Sequence, residues 1–321
     1  MENKILLSLC IPTNGIVEWV IPVIKSIYAQ GVDNYLFEVV VTDNGKKSDL
    51  AEVVKDFKYP NFHYYKTTSE GFLNQIDAFE KCSGIFCKML NHRSKLIPGS
   101  LNAFLDLINR YKETKPILYC AEGYAKGGEF IECDNIDEFV AKMGYWISCS
   151  AGTGAWKDDL LDIRSKYVDF YFPHTVFLFE LRKESKYVIW NERYEVMSSD
   201  GGKGGYDVFY AFGVSLLDIA TKLRLENRIK DDTFINLKKS LFSFLRGLYR
   251  NEVIFPTKHT YIINNICRSM RVYYGSYYYW KMVLIEWVKA PIVFGKILWI
   301  SINYRIRRFF FKDIEICHNG K

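Results

Sequence analysis

The sequence predicts an α/β fold in which a mostly parallel sheet is covered by helices on both faces and followed by a helical C-terminal region. Two short apolar runs, Lys4–Ile11 and Phe37–Val41, end abruptly in turn residues, as strands buried in a parallel sheet do. Between them, Val17–Gln30 carries apolar residues at helical spacing and is stopped by Gly31. Strands that alternate with helices in this way form a doubly wound sheet.

The same alternation continues along the chain. The further predicted elements are the helix Asp49–Phe57 capped by Ser48, the strand Phe62–Tyr65, the helix Phe72–Cys82, the strand Ile85–Leu90, the helix Ser100–Tyr111, the strand Pro116–Cys120 and the helix Val208–Leu223. Residues 123–146 are polar and mixed, which predicts an insertion. The predicted organisation is an α/β domain over residues 1–225 and a helical, aromatic and basic region over 226–321.

The composition excludes several classes of protein. Charged residues make up 25% of the chain and the mean hydropathy is −0.09, which are values of a globular protein. The net charge is only +6 and the basic excess lies near the C-terminus, which argues against nucleic-acid binding and for a local contact with anionic lipid or phosphate. The eight cysteines form no Cys-x-x-Cys pair, and the N-terminus has no signal peptide. We therefore expect reduced thiols in a cytoplasmic protein.

Polar residues follow the predicted strands. Ligands in such sheets bind beyond the carboxyl ends of the strands. Asp43 in this position can accept hydrogen bonds from a nucleobase N–H or a ribose hydroxyl, and the backbone of Pro12–Asn14 can line a flat base. The alternative is that Asp43–Gly45 simply forms a turn, because Asp, Asn and Gly dominate turns.

Four short motifs occur in a fixed order in the first hundred residues: Pro12-Thr13, Asp43-Asn44, Gly71, and Pro98-Gly99-Ser100-Leu101. On these motifs the chain resembles the family 2 glycosyltransferases of the GT-A fold, of the bacterial O-antigen and capsule type. The resemblance covers about the first 110 residues well and continues loosely to about residue 220. It implies a Rossmann-like GT-A domain with a nucleotide-sugar half over residues 1–110 and an acceptor half over 111–225.

The resemblance also implies an activity and a donor site. The activity is an inverting transfer of a hexose from a nucleotide-diphosphate donor to a lipid-linked or polysaccharide acceptor. The implied donor-binding residues are Pro12, Thr13, Asn14, Asp43, Asn44, Asn74, Asn91, His92 and Arg93.

The chain departs from the family where a metal ion is expected. The family's Asp-x-Asp motif falls on Asn91-His92-Arg93, so the two carboxylates that would hold Mg²⁺ or Mn²⁺ are absent. A divalent cation is therefore disfavoured, and no other cofactor is expected. Arg93, with His92 or Lys95, can neutralise the diphosphate instead, because a guanidinium matches phosphate oxygens bidentately. The alternative is that Arg93 lies on a degenerate, inactive loop.

Two further segments carry candidate acceptor and catalytic residues. Gly152 and Gly154 would let the backbone approach a sugar, and Trp156 would stack on one, although a tight turn into a helix explains them equally well. Where the resemblance places a catalytic Glu-Asp pair, this chain has His174 and Thr175. His174 is suited to act as the base at neutral pH.

Asp169 is the rival base, or the group that orients His174. Lys203, among four glycines, is predicted to reach phosphate from a mobile lid, or to lie in a mere connector.

The C-terminal region predicts an interfacial helix rather than a membrane span. Met282–Ile302 is strongly apolar but contains charged residues and Pro291. The segment after it mixes arginines and a lysine with Phe309–Phe311, as a helix on an anionic leaflet does. We therefore expect a cytoplasmic protein held peripherally on the inner face of the membrane; the alternative is a helix packed on the catalytic domain.

Two other functions remain open at this stage. A catalytically inactive GT-A homologue that serves as a glycan-binding or assembly partner would explain the missing Asp-x-Asp motif. A nucleotidyltransferase shares the sheet, but it usually needs a basic residue directly after the first strand, and here none occurs before Lys25. We rank it third.

Overall fold

The computed structural model describes residues 5–165, 168–183, 185–197, 202, 204–256 and 258–295. The chain divides into two compact units. The first comprises Met1–Gly201 and Val214–Leu241, and the second comprises Gly202–Gly213 and Phe242–Lys321. The functional boundary predicted at residue 225 stays a prediction.

A five-stranded sheet forms the centre of the first unit. Its strands are β1 Leu7–Thr13, β2 Phe37–Asp43, β3 Phe62–Lys66, β4 Phe86–Met89 and β8 Gly154–Trp156, in the spatial order β3-β2-β1-β4-β8. The first four strands are parallel, and β8 is antiparallel to β4. Every residue of β2 is buried, including Glu38, Thr42 and Asp43, so the strand does not alternate between a buried and an exposed face. The predicted parallel sheet is confirmed.

Helices cover this sheet in the order that the sequence predicted. They are α1 Val17–Tyr28, α2 Asp49–Val54, α3 Asn74–Lys81 and α4 Ser100–Tyr111. The apolar faces of α1 and α4 pack with the sheet in one large core. Ser48 lies at the start of α2, but its side chain makes no capping hydrogen bond, contrary to the prediction.

A smaller, three-stranded sheet extends the first unit. It contains β6 Ile117–Cys120, β9 Tyr187–Trp190 and β7 Phe130–Cys133, with β6 parallel and β7 antiparallel to β9. The remaining elements of this unit are the ribbon of β5 Ser94–Leu96 with β10 Glu195–Met197, and the helices α5 Ile136–Met143, α6 Pro173–Glu180 and α8 Leu216–Leu225. The segment predicted as a polar insertion thus contributes a strand and a helix, because Phe139, Val140 and Met143 supply a buried face.

Two of the cysteines expected to be reduced form a disulfide. Cys82 follows α3 and Cys87 lies in β4, and their sulfur atoms are bonded to each other. The two cysteines are five residues apart, which is not the Cys-x-x-Cys spacing that predicts a pair from sequence. They meet because the chain turns from α3 into β4 between them. Cys10, Cys120 and Cys133 are buried free thiols, as predicted.

The second unit has its own small core. The elements are α7 Val208–Tyr210, the parallel pair β11 Gly204–Asp207 and β12 Thr260–Ile262, α10 Ile266–Tyr273, and a final helix, α11, over residues 275–295. The helix α9 Asp231–Tyr249 ends within this unit. In α11 the buried Glu286 pairs with Arg246 and with Arg250, so its charge is compensated. No helix in the described part of the chain is both long and apolar enough to cross a membrane.

Candidate active site

The carboxyl edge of the five-stranded sheet brings the predicted donor residues together. The ends of β1 and β2 lie side by side, because Thr13 pairs with Asp43 in the parallel register. The chain that leaves β4 runs beside β1, where the Leu90 N–H donates to the Cys10 carbonyl oxygen at 2.8 Å. The residues gathered at this edge are Pro12, Thr13, Asn14, Asp43, Asn44, Asn74, Asn91, His92 and Arg93.

Asp43 is fully buried at the end of β2, and protein groups hold both of its carboxylate oxygens. Oδ2 accepts hydrogen bonds from the Tyr64 hydroxyl at 2.7 Å and from Lys66 Nζ at 3.1 Å. Oδ1 accepts from the Gly45 N–H at 2.7 Å. Burial, followed by the hydrogen bond to Asp43, raises the pKa of Tyr64 well above its ordinary value. Asp43 therefore shapes the loop at the site, and Lys66 brings a positive charge beside it.

Two asparagines brace the ends of the strands. Asn74 Nδ2 donates to the carbonyl oxygens of Thr13 at 3.1 Å and Thr42 at 2.7 Å, and so ties β1 to β2. Asn44 Nδ2 donates to the carbonyl oxygen of Ser69 at 2.8 Å, and so ties the loop after β2 to the segment before α3. Since both amides are engaged by the backbone, their observed role is to fix the shape of the edge.

A glycine closes the same loop. A Cβ atom at Gly45 would stand 2.1 Å from the carbonyl oxygen of Asn14, so a larger residue would push the two loops apart. Asn14 is exposed at this edge, and its backbone stays a predicted lining of the base site.

Arg93 stacks on Trp19 at the phosphate end predicted for the site. The guanidinium carbon lies 3.3 Å from the centroid of the indole ring, which comes from α1. The Arg93 N–H donates to Asn91 Oδ1 at 3.0 Å, so the side chain of Asn91 closes the turn that presents the arginine. Arg93 is 6% exposed. The stack thus fixes a guanidinium plane at this edge.

His92 holds the same turn from the other side. Its Nδ1 lies 2.8 Å from Thr13 Oγ1, and its ring meets Trp19 edge to face at 5.4 Å. Burial, and then the charge of Arg93, lowers the pKa of His92 to about 3. The ring is therefore neutral at physiological pH.

These residues do not fit a hard divalent cation. The oxygen of Asn91 is engaged by Arg93, Nδ1 of His92 is engaged by Thr13, and Arg93 itself carries positive charge. Among the residues that the structure describes, no group of three or more His, Cys, Asp or Glu side chains is arranged to hold a metal ion. Hard cations take carboxylate oxygens in preference to such donors.

His174 lies at the start of α6 with both ring nitrogens hydrogen-bonded to protein groups. Nδ1 is 2.8 Å from the side-chain amide of Gln75, and Nε2 is 2.9 Å from the carbonyl oxygen of Ser148. Burial lowers the pKa of His174 to about 4, although Ser148 and Asp169 act in the opposite direction. Because a carbonyl only accepts, Nε2 carries the proton of the neutral ring, and Nδ1 accepts from the Gln75 amide once its oxygen and nitrogen are interchanged. Protein groups therefore engage both ring nitrogens of His174.

Asp169 precedes the same helix and is also engaged. Its Oδ1 accepts hydrogen bonds from the N–H groups of Tyr171 and Phe172, each at 2.8 Å. Its Oδ2 accepts from the hydroxyl of Ser215 at 2.6 Å. This arrangement holds the entry to α6, and the role of base predicted for Asp169 or for His174 stays a prediction.

The predicted sugar-stacking segment lies in the core. Trp156 is 1% exposed, its indole N–H donates to the Pro116 carbonyl oxygen at 2.7 Å, and its ring packs on Phe86. A Cβ atom at Gly154 would stand 2.4 Å from the ring of Phe86, so this glycine admits a protein side chain rather than a sugar. The structure therefore gives both residues packing roles. Lys203 lies outside the described residues.

The sequence reasoning missed a second cluster, at the ends of β6 and β9. Glu122 follows β6 with a positive φ of 54°, and its Oε1 accepts from the N–H groups of Tyr194 at 3.0 Å and Glu195 at 3.1 Å. Beneath them Lys88 is fully buried and donates to the backbone of Met89 and Ala151. Only the lysine, in an otherwise apolar strand, was a signal in the sequence.

An aromatic stack stands beside this cluster. The ring of Tyr124 lies parallel to that of Trp146 at 3.6 Å, and Tyr145 stacks on Trp146 at 4.9 Å. The hydroxyl of Tyr119, in β6, donates to the Trp146 carbonyl oxygen at 2.6 Å and fixes the stack to the sheet. We call the rings of Tyr124, Tyr145 and Trp146 the aromatic shelf.

The cluster opens on the same side of the fold as the donor edge. Thr153 connects the two sheets: its carbonyl oxygen accepts from Met89 of β4, and it forms an antiparallel bridge with Tyr119 of β6. Since β8, which begins one residue later, is antiparallel to β4, the strands β4 and β6 point in the same direction. Arg93 and Glu122 therefore both follow the carboxyl ends of strands that point the same way, with β8 between those strands.

Comparisons with known proteins support the fold. No family model matches the chain, and no curated protein matches it. Among solved structures, the chain is similar to residues 1–349 of S. aureus TarS in complex with UDP-GlcNAc, with a TM-score of 0.56 at 14% identity over 76% of this chain and 73% of that one. It is also similar to the same TarS fragment without a named ligand, with a TM-score of 0.54 at 15% identity over 78% and 75%, and in complex with UDP, with 0.54 at 14% over 77% and 72%. This chain therefore has the GT-A α/β fold, with a parallel-dominated sheet, flanking helices and a helical C-terminal region.

Proposed function

We propose that the protein is an inverting glycosyltransferase that moves a hexose from a nucleotide-diphosphate donor to a lipid-linked or polysaccharide acceptor in surface glycan synthesis, of the family 2 type found in O-antigen and capsule assembly. The observation that carries this proposal is the stacking of Arg93 on Trp19 at the carboxyl edge of the sheet. Ligands of open α/β sheets bind at this edge. The likeness of the fold to TarS, which was solved with UDP-GlcNAc, supports the donor class.

Arg93 performs the electrostatic part of the proposed reaction. When the bond between the sugar and the diphosphate breaks, negative charge grows on the leaving phosphate. A preorganised guanidinium stabilises that charge without the reorganisation that water needs. Lys66, held beside the loop of Asp43, adds positive charge at the same edge. The proposal therefore requires no metal ion.

His174 and Asp169 have a positioning role in this proposal. The hydrogen bonds of His174 connect α3, through Gln75, with the segment of Ser148 that carries the aromatic shelf. Asp169 holds the start of α6 in place. His174→Gln and Asp169→Asn should therefore change the affinity for substrate more than the rate of proton removal.

The donor test is nucleotide release from a panel of UDP-, GDP-, CDP- and dTDP-sugars. The proposal expects slow release of one nucleotide by the wild-type protein. Arg93→Ala should abolish this release, while Arg110→Ala, which removes an exposed arginine that stacks on Phe130 elsewhere in the unit, should not. Equal release by wild type and Arg93→Ala would contradict the role given to Arg93.

We also propose peripheral attachment to an anionic membrane through the C-terminal region. One helix, α11, exposes a long row of apolar side chains: Tyr277, Tyr278, Trp280, Leu284, Trp287, Val288, Ile292 and Phe294. Lys281 and Lys289 lie among them, and the arginines and phenylalanines predicted to form an interfacial segment follow outside the described residues. This mixture suits the interface of an anionic leaflet.

The membrane test is co-sedimentation with liposomes. Binding to vesicles that contain 30% phosphatidylglycerol, lost in Trp280→Ser/Trp287→Ser, is the expected result. Binding to purely zwitterionic vesicles with equal strength would contradict the electrostatic part, and unchanged binding of the double variant would contradict the role of α11.

A second candidate function is an inactive GT-A homologue that binds glycan or nucleotide sugar. It is favoured by one observation: His174 and Asp169, the predicted bases, are fully engaged by protein groups. Calorimetric titration separates the two functions. Binding of a nucleotide sugar with no release or transfer, whichever acceptor is supplied, would favour the inactive homologue.

A further inference from the structure

We propose that Glu122 is the general base of the transfer and that the aromatic shelf binds the acceptor sugar, an inference that rests on the proposed function. The donor edge as described supplies a phosphate-binding group but no free base. The cluster at the ends of β6 and β9 supplies a carboxyl group and a stacking surface, and it lies on the same side of the fold as Arg93.

The aromatic shelf has the geometry of a sugar-binding surface. Tyr124 is 49% exposed, and its ring is held parallel to Trp146, so one broad ring face is turned to solvent. The C–H groups of a pyranose pack on such a face while its hydroxyls stay free to hydrogen-bond at the edges. Asn191 pins the loop of Tyr124 by bonding both the N–H and the carbonyl of Ala125, which makes the surface rigid.

Glu122 is held in one orientation beside this surface. Two backbone N–H groups fix Oε1, and Oε2 has no hydrogen-bond partner among the described residues. The positive φ of Glu122 is unusual for a residue with a side chain, and backbone conformations of this kind concentrate at functional sites.

The charges around Glu122 tune its proton affinity. Burial raises the pKa of Glu122 to about 7, Glu195 acts in the same direction, and Lys88 and the N–H groups of Tyr194 and Glu195 oppose the shift. Burial also raises the pKa of Glu195, whose Oε2 has no partner in the described structure. A base whose pKa lies near the working pH is the most effective at accepting a proton during attack. The titratable Tyr124 and Cys120 also face this group.

The position of Glu122 fits a transfer across the cleft. Glu195, whose N–H Glu122 binds, lies in β10, and β10 pairs with β5, which begins directly after Arg93. The strands that lead to Arg93 and to Glu122 are separated by β8, and the proposal places the donor sugar and the attacking hydroxyl between the two side chains. An inverting attack needs the base and the leaving group on opposite sides of the anomeric carbon, as this arrangement provides.

The acceptor oxygen forms a bond to the anomeric carbon of the donor sugar, and its proton passes to the carboxylate of Glu122. The bond between that carbon and the diphosphate oxygen breaks, and its electron pair leaves on the nucleoside diphosphate, beside Arg93. Release of the product and loss of the proton from Glu122 to solvent restore the site.

The first experiment measures the rate of nucleotide release against pH for the wild type, Glu122→Gln and Glu132→Gln. Glutamine keeps the acceptor oxygen for the two backbone N–H groups, so the loop should fold, and Glu132 is a matched exposed residue on β7. The wild-type rate should fall about tenfold per pH unit below pH 7. The rate of Glu122→Gln at pH 7.5 should be lower by at least about 100-fold, and it should no longer fall with pH in this way. A wild-type rate and slope in Glu122→Gln would overturn the assignment.

The second experiment measures binding of a panel of methyl hexopyranosides by intrinsic fluorescence and their use as acceptors. Tyr124→Ala should raise the acceptor KM at least about tenfold with the donor KM unchanged, and the exposed Tyr35→Ala should change neither. An unchanged acceptor KM in Tyr124→Ala would overturn the aromatic shelf as a sugar site.

The two experiments also separate this inference from the proposed function. Donor release that is lost in Arg93→Ala but kept in Glu122→Gln would leave the function standing and remove Glu122. Glycoside binding that depends on Tyr124, without release from any donor, would remove the enzyme function and Glu122 as its base while the shelf stands. Neither binding nor release would overturn both.

Discussion

The guanidinium of Arg93 lies on the indole of Trp19, with 3.3 Å between the guanidinium carbon and the ring centroid. The two residues come from different elements, the loop after β4 and the first helix, so the contact locks the loop to the helix that flanks the site. A planar cation is needed for this packing. The relationship therefore explains why an arginine, rather than any positive residue, is suited to this position.

Arg93→Lys tests the need for a planar cation. Lysine keeps the charge but loses the stacked plane and the bidentate geometry, so we expect donor affinity to fall about tenfold while some release remains. Arg93→Ala should lose at least about 100-fold in release. The measurement is the donor KM and the rate of release for both variants. Equal activity of Arg93→Lys and the wild type would show that only the charge matters.

Asn74→Ala should destabilise the protein. The substitution removes the amide that donates to the carbonyl oxygens of Thr13 and Thr42, although the Thr13 oxygen keeps the hydrogen bond from the Asn44 N–H. We expect a loss of about 2 kcal/mol in the free energy of unfolding by urea. The control is Asn109→Ala, an exposed residue whose side chain contacts only Lys112 among the described residues, and it should change stability by no more than about 0.5 kcal/mol. Similar effects of the two variants would show that the brace does not hold the edge.

Acidification should destabilise the fold through His174. Burial lowers its pKa from 6.5 to about 4, so between these values the unfolded chain binds a proton that the folded chain excludes. The free energy of unfolding therefore falls as the pH falls through this window, by about 2 kcal/mol between pH 7.5 and pH 5 for this residue. His92, whose pKa burial lowers to about 3, acts in the same direction.

Glu122 acts in the opposite direction, because its raised pKa favours the folded state on acidification between pH 7 and pH 4.5. The contribution of His174 is isolated by comparing the pH dependence of the wild type with that of His174→Gln. The variant should lose about 2 kcal/mol of that dependence. An unchanged dependence in His174→Gln would place its pKa near the ordinary value.

Gly154→Ala should destabilise the junction between the two sheets. Its Cβ atom would stand 2.4 Å from the ring of Phe86, which is itself packed on Trp156 in the core. We expect a loss of about 2 kcal/mol in thermal or chemical unfolding. Gly128→Ala is the matched control, because its Cβ atom would meet no atom within 4 Å. A neutral Gly154→Ala would mean that the ring of Phe86 moves without cost.

The order of strands and helices was predictable because short segments rich in apolar residues, each ended by turn residues, alternate with segments of helical spacing. Phe37–Val41 is such a segment, although Glu38 lies within it. The position of the donor edge followed from this order. Parallel strands end on the same side of the sheet, and Asp43 ends β2, Asn44 follows it and Asn91 follows β4. These inferences needed only local pattern and one rule of sheet topology.

The functions of individual side chains were not predictable in the same way. Trp156 was predicted to stack on a sugar, but its burial depends on Phe86 and Pro116, which are 70 and 40 residues away along the chain. Glu122 directly precedes the segment 123–146 that was predicted to be a polar insertion. Its fixed orientation comes from the N–H groups of Tyr194 and Glu195, and its raised pKa comes first from burial, and both arise only in the folded chain.

We propose transfer without a metal ion, with Arg93 in place of a carboxylate-bound cation. The decisive measurement is the rate of nucleotide release from the preferred donor in Mn²⁺ and in EDTA. We predict equal rates in the two conditions, and loss of release in both for Arg93→Ala. Release that requires Mn²⁺, or that persists in Arg93→Ala, would contradict it.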